Sequence, residues 1–192
     1  MPEYFYPCQP WSKFSVQLGT EFLSRGYEIA TGALHTGCDM NALTGADTDL
    51  GKPVYAMTDG TVVHAGWDSW IGGIIVIWHA GPRVHSVYWH LKAGSTRVKT
   101  GDRVRGGRWI GAIGKGGRNQ FLAHLHFEIR TAGLEVVKPA AWPTAMFQRR
   151  NIWGRVVSYD RAGALAFITK HYTDPIAFLE KNFALERLED VS

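Results

Sequence analysis

The sequence has few cysteines and no long apolar run, and each shortage excludes a class of protein. Two cysteines, Cys8 and Cys38, cannot build a disulfide framework. They either form one disulfide bridge or stay free, so the cysteines do not decide whether the protein works in an oxidising or a reducing compartment. No apolar stretch approaches the ~18 residues that a membrane-spanning helix needs, so we predict no transmembrane segment. The first residues, MPEYFYPCQPWSKF, lack the basic start and apolar stretch of a signal peptide. We therefore expect a protein that leaves its cell, if at all, without a signal of its own.

Composition places the chain among ordinary globular proteins. Of its 192 residues, 45% are hydrophobic and 20% are charged, which excludes disorder as the main state. This length suits one domain with a small appended piece. The net charge is +4 and the pI is near 9.1, a mild excess that suits an anionic partner without identifying one. The eight tryptophans are well above ordinary usage, and we expect most of them to lie in the core.

Short apolar runs separated by glycine turns predict a mainly antiparallel β domain. Residues 53–66 (PVYAMTDGTVVHAG) indicate two strands around an Asp59-Gly60 turn, which is a strong hairpin signal. Further strands are predicted at 73–78, 84–91, 103–105, 108–113 and 124–130.

The C-terminal segment predicts a helix at 173–189. Thr173 or Asp174 would cap this helix, with Pro175 at its first position. Its apolar face would consist of Ile176, Leu179 and Phe183. We expect the helix to pack on the β domain, and we assign no function to residues 141–172.

Histidine is the informative residue type, with eight copies. His124 and His126 stand at i and i+2 in the strand-like segment AHLHFEI, so both rings should point to the same face of a sheet. That arrangement aims two imidazoles at one metal, or at a metal and its substrate, although the motif is weak by itself. His90 ends the run VYWHL and is a candidate general base or hydrogen-bond donor, but a lone histidine in an apolar strand is more often a core residue.

An H-x-G-x-D pattern supplies an imidazole and a carboxylate on a glycine-bent segment, which can give two ligands to a cation such as Zn²⁺. The pattern occurs twice, from His35 to Asp39 and from His64 to Asp68, and local sequence does not choose between the copies.

The sequence gives no support for three other kinds of catalytic or nucleotide-binding site. The chain has no His-Glu dipeptide for an H-E-x-x-H site, no G-x-S-x-G elbow, and no lysine followed by Ser or Thr in its glycine-rich stretch 111–119.

Taken in order, these segments resemble the lysostaphin-like (LytM-type) zinc metallopeptidases, which cut peptidoglycan peptides. The resemblance covers roughly residues 35–139, through HTGCD, GKPVYAMTDGTVVHAG, VYWHL, VKTGDRVRGGRWIGAIG and AHLHFEIR. It implies a mainly β fold, with a compact antiparallel β-sheet domain of the lysostaphin-like type and a C-terminal helix. On this basis residues 1–140 form the peptidase domain with an irregular N-terminal segment. Residues 141–192 form an extension whose helix packs on the same domain.

The resemblance also implies a role for five residues. In the family the ligand-bearing H-x-G-x-D precedes the PVYA-x-x-DGTV segment, so the first copy of the pattern is the one that binds metal. His35 and Asp39 are therefore implied as metal ligands, and His126 as the third. Three protein ligands leave one Zn²⁺ with an open position for water. His90 and His124 correspond to the two catalytic histidines that are not ligands.

Two residues beside the implied ligands keep two interpretations each. Glu128 lies on the same strand face as His126, where it either supports that ligand or is an ordinary strand residue. Cys38 is a small packing residue or a thiolate ligand.

Two loops depart from the family pattern. The connection that holds Asp47 and Asp49 is longer than usual, and these carboxylates either bind a cation or belong to a solvated loop. We hypothesise that this loop borders the substrate groove. Arg118 and Asn119, in the loop before H-x-H, are candidates for contacting substrate carboxylates.

The implied function is zinc-dependent hydrolysis of peptide bonds in the stem or cross-bridge peptides of bacterial peptidoglycan. The alternative is a non-catalytic cell-wall-binding or regulatory module on the same fold, and the intact set of implied ligands favours the enzyme. A nucleic-acid-binding barrel would rest on mild basicity and exposed aromatic residues alone, so we predict no nucleic-acid partner. The sequence leaves the oligomeric state open.

The biological setting follows from the missing signal peptide. A single catalytic domain of this kind is typical of a phage or prophage lysin, either an endolysin or a virion-associated enzyme. It would be made in the cytoplasm, or in a phage-infected host, and act at the cell wall. A piece of a longer bacterial enzyme is the alternative. The bond that is cut, in a glycine bridge or in a D-Ala to diamino-acid cross-link, is undecided, and we lean towards the latter.

Overall fold

A computed structural model describes residues 3–131 and 143–189 of the chain. The strands are β1 (Phe14–Val16), β2 (Cys38–Ala42), β3 (Pro53–Tyr55), β4 (Gly60–Asp68), β5 (Gly72–His79), β6 (Val84–Leu91), β7 (Arg103–Val104), β8 (Trp109–Ala112), β9 (Leu125–Thr131), β10 (Gln148–Arg150), β11 (Val156–Tyr159) and β12 (Tyr172–Thr173). The helices are α1 (Arg25–Thr31), α2 (Pro143–Met146), α3 (Arg161–His171) and α4 (Pro175–Glu189), and a short 3-10 turn spans Trp11–Lys13.

One antiparallel sheet organises the fold. Its strands follow the order β1-β2-β9-β6-β5-β4-β7, and β12 also pairs with β9. The pairs β3–β8 and β10–β11 form two smaller sheets. The predicted fold class, a mainly antiparallel β domain with a C-terminal helix, is therefore confirmed. The predicted strands at 73–78, 84–91 and 124–130 match β5, β6 and β9 to within one residue at each end.

The hairpin predicted at 53–66 is wrong in its pairing. Both strands exist, but β3 pairs with β8, whereas β4 pairs with β5 and β7. Gly60 serves a close approach between strands, because a Cβ there would lie 2.6 Å from the Trp78 carbonyl oxygen. The Asp59 carboxylate accepts a hydrogen bond from the backbone N–H of Gly106 at 2.8 Å. The Asp-Gly dipeptide thus joins strands of two different sheets.

Strict alternation along β9 separates the core from a polar face. Leu125, Phe127 and Ile129 are completely buried in the main hydrophobic core, together with residues of β5 and β6. The residues that alternate with them, His126, Glu128 and Arg130, are also buried but lie on the opposite side of the strand. Strand β9 therefore presents apolar side chains to the main core on one face and a row of polar groups on the other.

The expectation that most tryptophans lie in the core is wrong. Trp142 lies outside the described residues, and of the remaining tryptophans only Trp89 is buried. The core positions of these short strands are filled by aliphatic residues and phenylalanine, whereas most indoles occupy turns and strand ends. Trp70, for example, is 52% exposed in the turn between β4 and β5.

The predicted C-terminal helix is confirmed as α4. The Asp174 carboxylate accepts hydrogen bonds from the backbone N–H groups of Ile176 at 2.9 Å and Ala177 at 3.2 Å, so Asp174 is the cap. Leu179 is completely buried in the main core, and Phe183 packs against it. Within the described ranges, no helix combines the length and the apolar character needed to cross a membrane.

The division of the chain into 1–140 and 141–192 stays a prediction, because the residues at the boundary, 132–142, lie outside the described ranges. Beyond them, the segment that the sequence left ambiguous contains α2, β10, β11 and α3. Ala164 and Ile168 of α3 form a separate small core with Leu34 and Tyr172.

We expect Leu179→Ala to lower the free energy of unfolding by about 3 kcal/mol, because it empties a completely buried position between α4 and the sheet. Leu43→Ala, at an exposed position, is the matched control and should change this free energy by less than about 0.5 kcal/mol. Urea unfolding followed by circular dichroism measures both variants. An unchanged transition midpoint for Leu179→Ala would contradict the packing of α4 on the core.

Candidate metal centre and active site

Three of the predicted residues, His35, Asp39 and His126, bring one donor atom each to a single point. His35 Nε2 lies 3.0 Å from His126 Nδ1 and 3.3 Å from Asp39 Oδ1. His126 Nδ1 lies 3.0 Å from Asp39 Oδ1. All three residues are buried. Among the described residues, this is the one group of His, Cys, Asp and Glu whose donor atoms converge closely enough to hold a metal ion.

The chemistry and spacing of these donors fit zinc. Two ligands at about 2.0–2.1 Å from a tetrahedral zinc ion lie about 3.3–3.4 Å apart, close to the distances observed here. Two imidazole nitrogens and one carboxylate oxygen are a ligand set that zinc accepts, and three protein ligands leave a fourth position open. We call the three residues the metal cage below.

The pairing of β2 with β9 builds the cage. Asp39 pairs with His126 and Cys38 pairs with Phe127. Because neighbouring side chains alternate in direction, Asp39 and His126 project together on the polar face while Cys38 and Phe127 enter the core.

Gly37 explains the glycine of the H-x-G-x-D pattern. A Cβ at this position would overlap the Phe127 carbonyl oxygen and would lie 2.8 Å from Glu128 Cγ. The segment can therefore pass against β9 only if it carries no side chain there. That close passage brings His35 beside Asp39.

Hydrogen bonds on the far side of each ring orient the two cage histidines. His35 Nδ1 lies 3.1 Å from the Glu21 carbonyl oxygen, and His126 Nε2 lies 3.1 Å from Glu128 Oε1. Because these partners are acceptors, the network assigns the ring proton to His35 Nδ1 and His126 Nε2. The lone pairs of His35 Nε2 and His126 Nδ1 then face the cage, the arrangement usual for metal-binding histidines.

Glu128 supports a cage histidine, which decides between its two interpretations. One oxygen accepts from the His126 ring and the Thr36 hydroxyl, and the other accepts from Arg130 Nε at 2.7 Å. Burial raises the pKa of Glu128, but the charge of Arg130 and these hydrogen bonds bring it to about 2. The carboxylate is therefore ionised.

The sequence analysis did not identify Thr36 and Arg130. For Arg130 a signal was available, because polar residues stand at i, i+2 and i+4 along β9.

The two buried carboxylates make the cage attractive to positive charge. Burial raises the pKa of Asp39, but hydrogen bonds from His126 and His35 hold it well below its ordinary range. Burial lowers the pKa of His126, whereas Asp39 and Glu128 raise it, to about 9 overall. The surroundings thus stabilise positive charge at this point, either as a second ring proton on His126 Nδ1 or as a metal ion that takes its place on the Nδ1 lone pair.

His90 reaches the site because β6 is irregular at its end. Trp89 pairs with His126 and stacks on its ring at 4.8 Å, so a regular strand would send His90 to the opposite face. Instead the β5–β6 register shifts between Gly73 and Ile75, and His90 adopts a φ of +63°. Such bulges redirect side chains next to functional sites. As a result the His90 ring centroid lies 4.7 Å from that of His124.

His90 and His124 present the same nitrogen. His90 Nδ1 lies 2.7 Å from the Ile71 carbonyl oxygen, and His124 Nδ1 lies 2.8 Å from the Leu122 carbonyl oxygen. Each Nδ1 therefore donates, which leaves Nε2 to exchange protons. Burial, with the neighbouring charges of His124 and His126, lowers the pKa of His90 to about 3, so its ring is neutral.

The second copy of H-x-G-x-D has a structural role. Neither His64 nor Asp68 belongs to the cage. The Asp68 carboxylate accepts hydrogen bonds from the backbone N–H groups of Trp70 at 2.8 Å and Ile71 at 2.7 Å. It thereby holds the turn that supplies the Ile71 carbonyl oxygen to His90.

The structure also decides the interpretations of the loop carboxylates. Asp47 forms an ion pair with Lys115 at 2.5 Å, and buried Asp49 accepts from the Ala42 N–H at 3.2 Å. These two carboxylates are therefore bound within the protein, and they belong neither to a cation site found among the described residues nor to a fully solvated loop.

Other candidates from the sequence lie away from the cage. Arg118 and Asn119 are exposed and are not among the described residues that line the groove of the candidate site. Cys8 and Cys38 are free and buried, and burial raises the pKa of both thiols. Cys38 is thus a packing residue.

The cage opens into a groove of about 480 Å³. Its polar lining consists mainly of Asp39, His90, His124 and His126. Its apolar lining includes Leu18, Tyr27, Ile71, Trp70 and Phe121. The five predicted site residues are therefore brought together, and all but fully buried His35 line one groove that can admit an extended chain.

Comparisons with known proteins agree with this geometry. The profile of peptidase family M23 matches residues 33–139, which is more than half of the chain. The chain is 31% identical over 127 residues to an uncharacterized protein of Mycobacterium tuberculosis, covering 66% of this chain and 29% of that protein.

Two further relatives have assigned activities. The chain is 37% identical over 83 residues to a glycyl-glycine endopeptidase of Staphylococcus capitis, covering 43% of this chain and 22% of the relative. It is 31% identical over 120 residues to a peptidoglycan DD-endopeptidase of Vibrio cholerae, covering 62% and 25%. The chain thus spans less than a third of the length of each of these relatives.

Solved structures share the fold. The catalytic domain of lysostaphin from Staphylococcus simulans superposes with a TM-score of 0.56 at 23% identity, covering 93% of this chain and 99% of that one. A chain of the SpoIIQ-SpoIIIAH pore forming complex gives a TM-score of 0.55 at 25% identity, covering 69% and 86%. The range matched by the family profile holds the whole metal cage and both further histidines, and on this match the chain belongs to peptidase family M23.

Proposed function

We propose that this chain is a zinc-dependent endopeptidase that hydrolyses peptide bonds in the stem or cross-bridge peptides of bacterial peptidoglycan. The convergence of His35, Asp39 and His126 beside two further histidines is the observation that carries the proposal. The family match supports it, as do the endopeptidase relatives from Staphylococcus capitis and Vibrio cholerae. In this proposal the cage residues hold the metal, and His90 and His124 are catalytic.

The role of each residue in this proposal follows from the atoms that it presents to the groove. Zinc bound in the cage would act as a Lewis acid on the scissile carbonyl and would lower the pKa of water at the open position. His90 and His124 keep Nδ1 on backbone carbonyl oxygens, so Nε2 is the atom of each ring that exchanges protons. One Nε2 accepts a proton from the attacking water, and a protonated Nε2 returns one to the leaving amine. Ground-state hydrogen bonds thus orient both rings before substrate arrives.

A non-catalytic cell-wall-binding or regulatory module is the second candidate. The fold likeness to a chain of the SpoIIQ-SpoIIIAH pore forming complex is the observation that favours it. Such a module would need the groove to bind its ligand, but it would not need both of the histidines that exchange protons. The presence of all cage residues and of both further histidines favours the enzyme.

For the biological setting, the proposal is a phage or prophage lysin that acts at the cell wall and has no nucleic-acid partner. This part rests on the sequence alone and stays a prediction. Reading the source gene in full, with its neighbours, tests it. Genes for phage lysis or virion assembly beside it would support the proposal, and an encoded N-terminal signal would contradict it.

We expect the purified protein to hold about one zinc ion per chain, because three convergent ligands complete one site. It should release peptides from purified peptidoglycan, and a chelator should abolish this release until zinc is added back. His35→Ala, Asp39→Ala and His126→Ala should each lose both zinc and activity. Metal analysis and peptide release, measured on the same samples, check these outcomes.

His64→Ala is the matched control, since His64 belongs to the same sequence pattern but lies outside the cage. It should keep its zinc and its rate, and a metal-free His64→Ala protein would contradict the assignment. Stoichiometric zinc without hydrolysis on several wall chemistries would instead favour the non-catalytic module.

His90→Ala and His124→Ala should keep zinc but lose about 10²–10⁴-fold in kcat, the usual contribution of general acid–base catalysis. The reason is that neither ring contributes a donor to the cage. Single-turnover rates on a soluble peptide, with zinc content measured in parallel, test this expectation. Loss of zinc from either variant would show that its ring supports the cage instead.

A further inference from the structure

A second compartment continues the groove beyond the metal cage. Its volume is about 350 Å³, and it shares Tyr27, Thr31, Trp70 and Phe121 with the groove beside the cage. A peptide bound across the cage can therefore extend into this compartment. We call it the distal compartment.

The distal compartment is built largely by segments that flank the family match. Its further lining comes from the end of α1 and from α2 and β10, outside residues 33–139 apart from Ala33. Arg150 is the one charged side chain among its described lining residues. The chemistry of this compartment is thus a property of this chain more than of the family.

Neutral groups hold the guanidinium of Arg150 in place. Its Nη1 donates to the Gly154 carbonyl oxygen at 2.9 Å, and its Nη2 donates to Gln148 Oε1 at 2.7 Å. Gln148 is itself anchored, because its Nε2 donates to the Gly32 carbonyl oxygen at 3.0 Å. No carboxylate in the described ranges forms an ion pair with Arg150. Of its five N–H donors, these contacts use two, so an anion can still be bound.

We infer that the distal compartment binds a free carboxylate of the peptide substrate through Arg150. The inference rests on the proposed endopeptidase function and narrows its substrate class. A neutral glycine bridge offers no carboxylate to Arg150. A cross-linked stem peptide carries free carboxylates, so this chain should prefer that class of substrate.

The test compares two forms of one cross-linked stem-peptide fragment, with its free carboxylates intact or converted to carboxamides. The native protein should have a kcat/KM about tenfold higher for the carboxylate form, as expected for a charge-assisted hydrogen bond. Arg150→Gln should remove this preference, so that it cuts the two forms with the same kcat/KM. Arg150→Lys should restore part of it.

Arg149→Gln is the matched control, because Arg149 is adjacent and exposed but does not line the compartment. It should keep the full preference. If Arg150→Gln slows both forms equally, or keeps the preference, the inference is overturned and Arg150 only stabilises the β10–β11 pair. If neither form is cut, the proposed function fails, and the dissociation constants of the two forms still decide whether Arg150 selects the carboxylate.

A separate observation concerns the long connection at residues 43–52. Asp47 Oδ1 accepts a hydrogen bond from the Ala123 N–H at 2.8 Å, and Asp47 Oδ2 accepts from Lys115 Nζ at 2.5 Å. Asn41 Nδ2 donates to the Ala123 carbonyl oxygen at 3.1 Å. Both polar groups of Ala123 are thus held from the β2 side, directly before His124.

From this geometry we propose that Asp47 is a positioning residue that acts through His124. The carboxylate connects the two ends of the loop at 115–123, which carries His124 into the groove. Without it the loop would lose the backbone hydrogen bond next to the catalytic ring, while the cage would be unaffected. The connection at 43–52 would then support the chemistry without touching substrate.

Asp47→Ala should lower kcat by about tenfold, with KM and zinc content unchanged, because it loosens one catalytic ring. Asp47→Asn, which keeps an acceptor for Ala123, should recover part of the rate. Asp102→Ala, which removes a half-buried carboxylate that accepts from the Lys99 N–H in another turn, is the control and should leave kcat unchanged.

The double variant with His124→Ala provides the decisive comparison. If Asp47 acts through His124, adding Asp47→Ala to His124→Ala should cause no further loss of kcat. A further tenfold loss, or loss of zinc in Asp47→Ala alone, would overturn the proposal.

Discussion

The antiparallel pairing of β2 with β9 is the interaction on which the candidate site depends. It sets Asp39 opposite His126, and close passage at Gly37 then brings in His35. A slip of one residue in this register would turn the Asp39 carboxylate into the core and Cys38 towards the cage. The apolar side chains of β2 oppose such a slip, since the completely buried Met40 would leave the core with it. Core packing therefore enforces the geometry of the polar site on the opposite face.

The groups around the cage are costly to bury one at a time, and they stabilise one another. Asp39 and Glu128 flank His126, and Arg130 balances the second carboxylate. Thr36 supplies a further hydrogen bond to Glu128. Such a network holds rings in one orientation, which is what a metal with strict ligand geometry needs.

The sequence predicts much of this arrangement and fails at identifiable places. Strand alternation predicts that His124 and His126 share a face, and the resemblance to the family, through the order of its motifs, distinguishes His35 from its duplicate, His64. The position of His90 depends on a shift in the β5–β6 register, which no local pattern encodes. The hairpin predicted around Asp59 failed because β3 pairs with the distant β8, whereas β4 pairs with β5, the next strand, and with the distant β7. Local propensity thus predicts elements, whereas packing selects their partners.

The row His126, Glu128 and Arg130 along one face of β9 has a consequence for how such a site can evolve. Glu128 shares its negative charge between the ring on one side and the guanidinium on the other. The electron density that His126 offers at the cage therefore depends on Arg130, whose side chain pairs with the Glu128 carboxylate. Replacing Arg130, or moving its guanidinium relative to Glu128, would therefore change the affinity of the metal cage for its ion while the three cage residues stay the same.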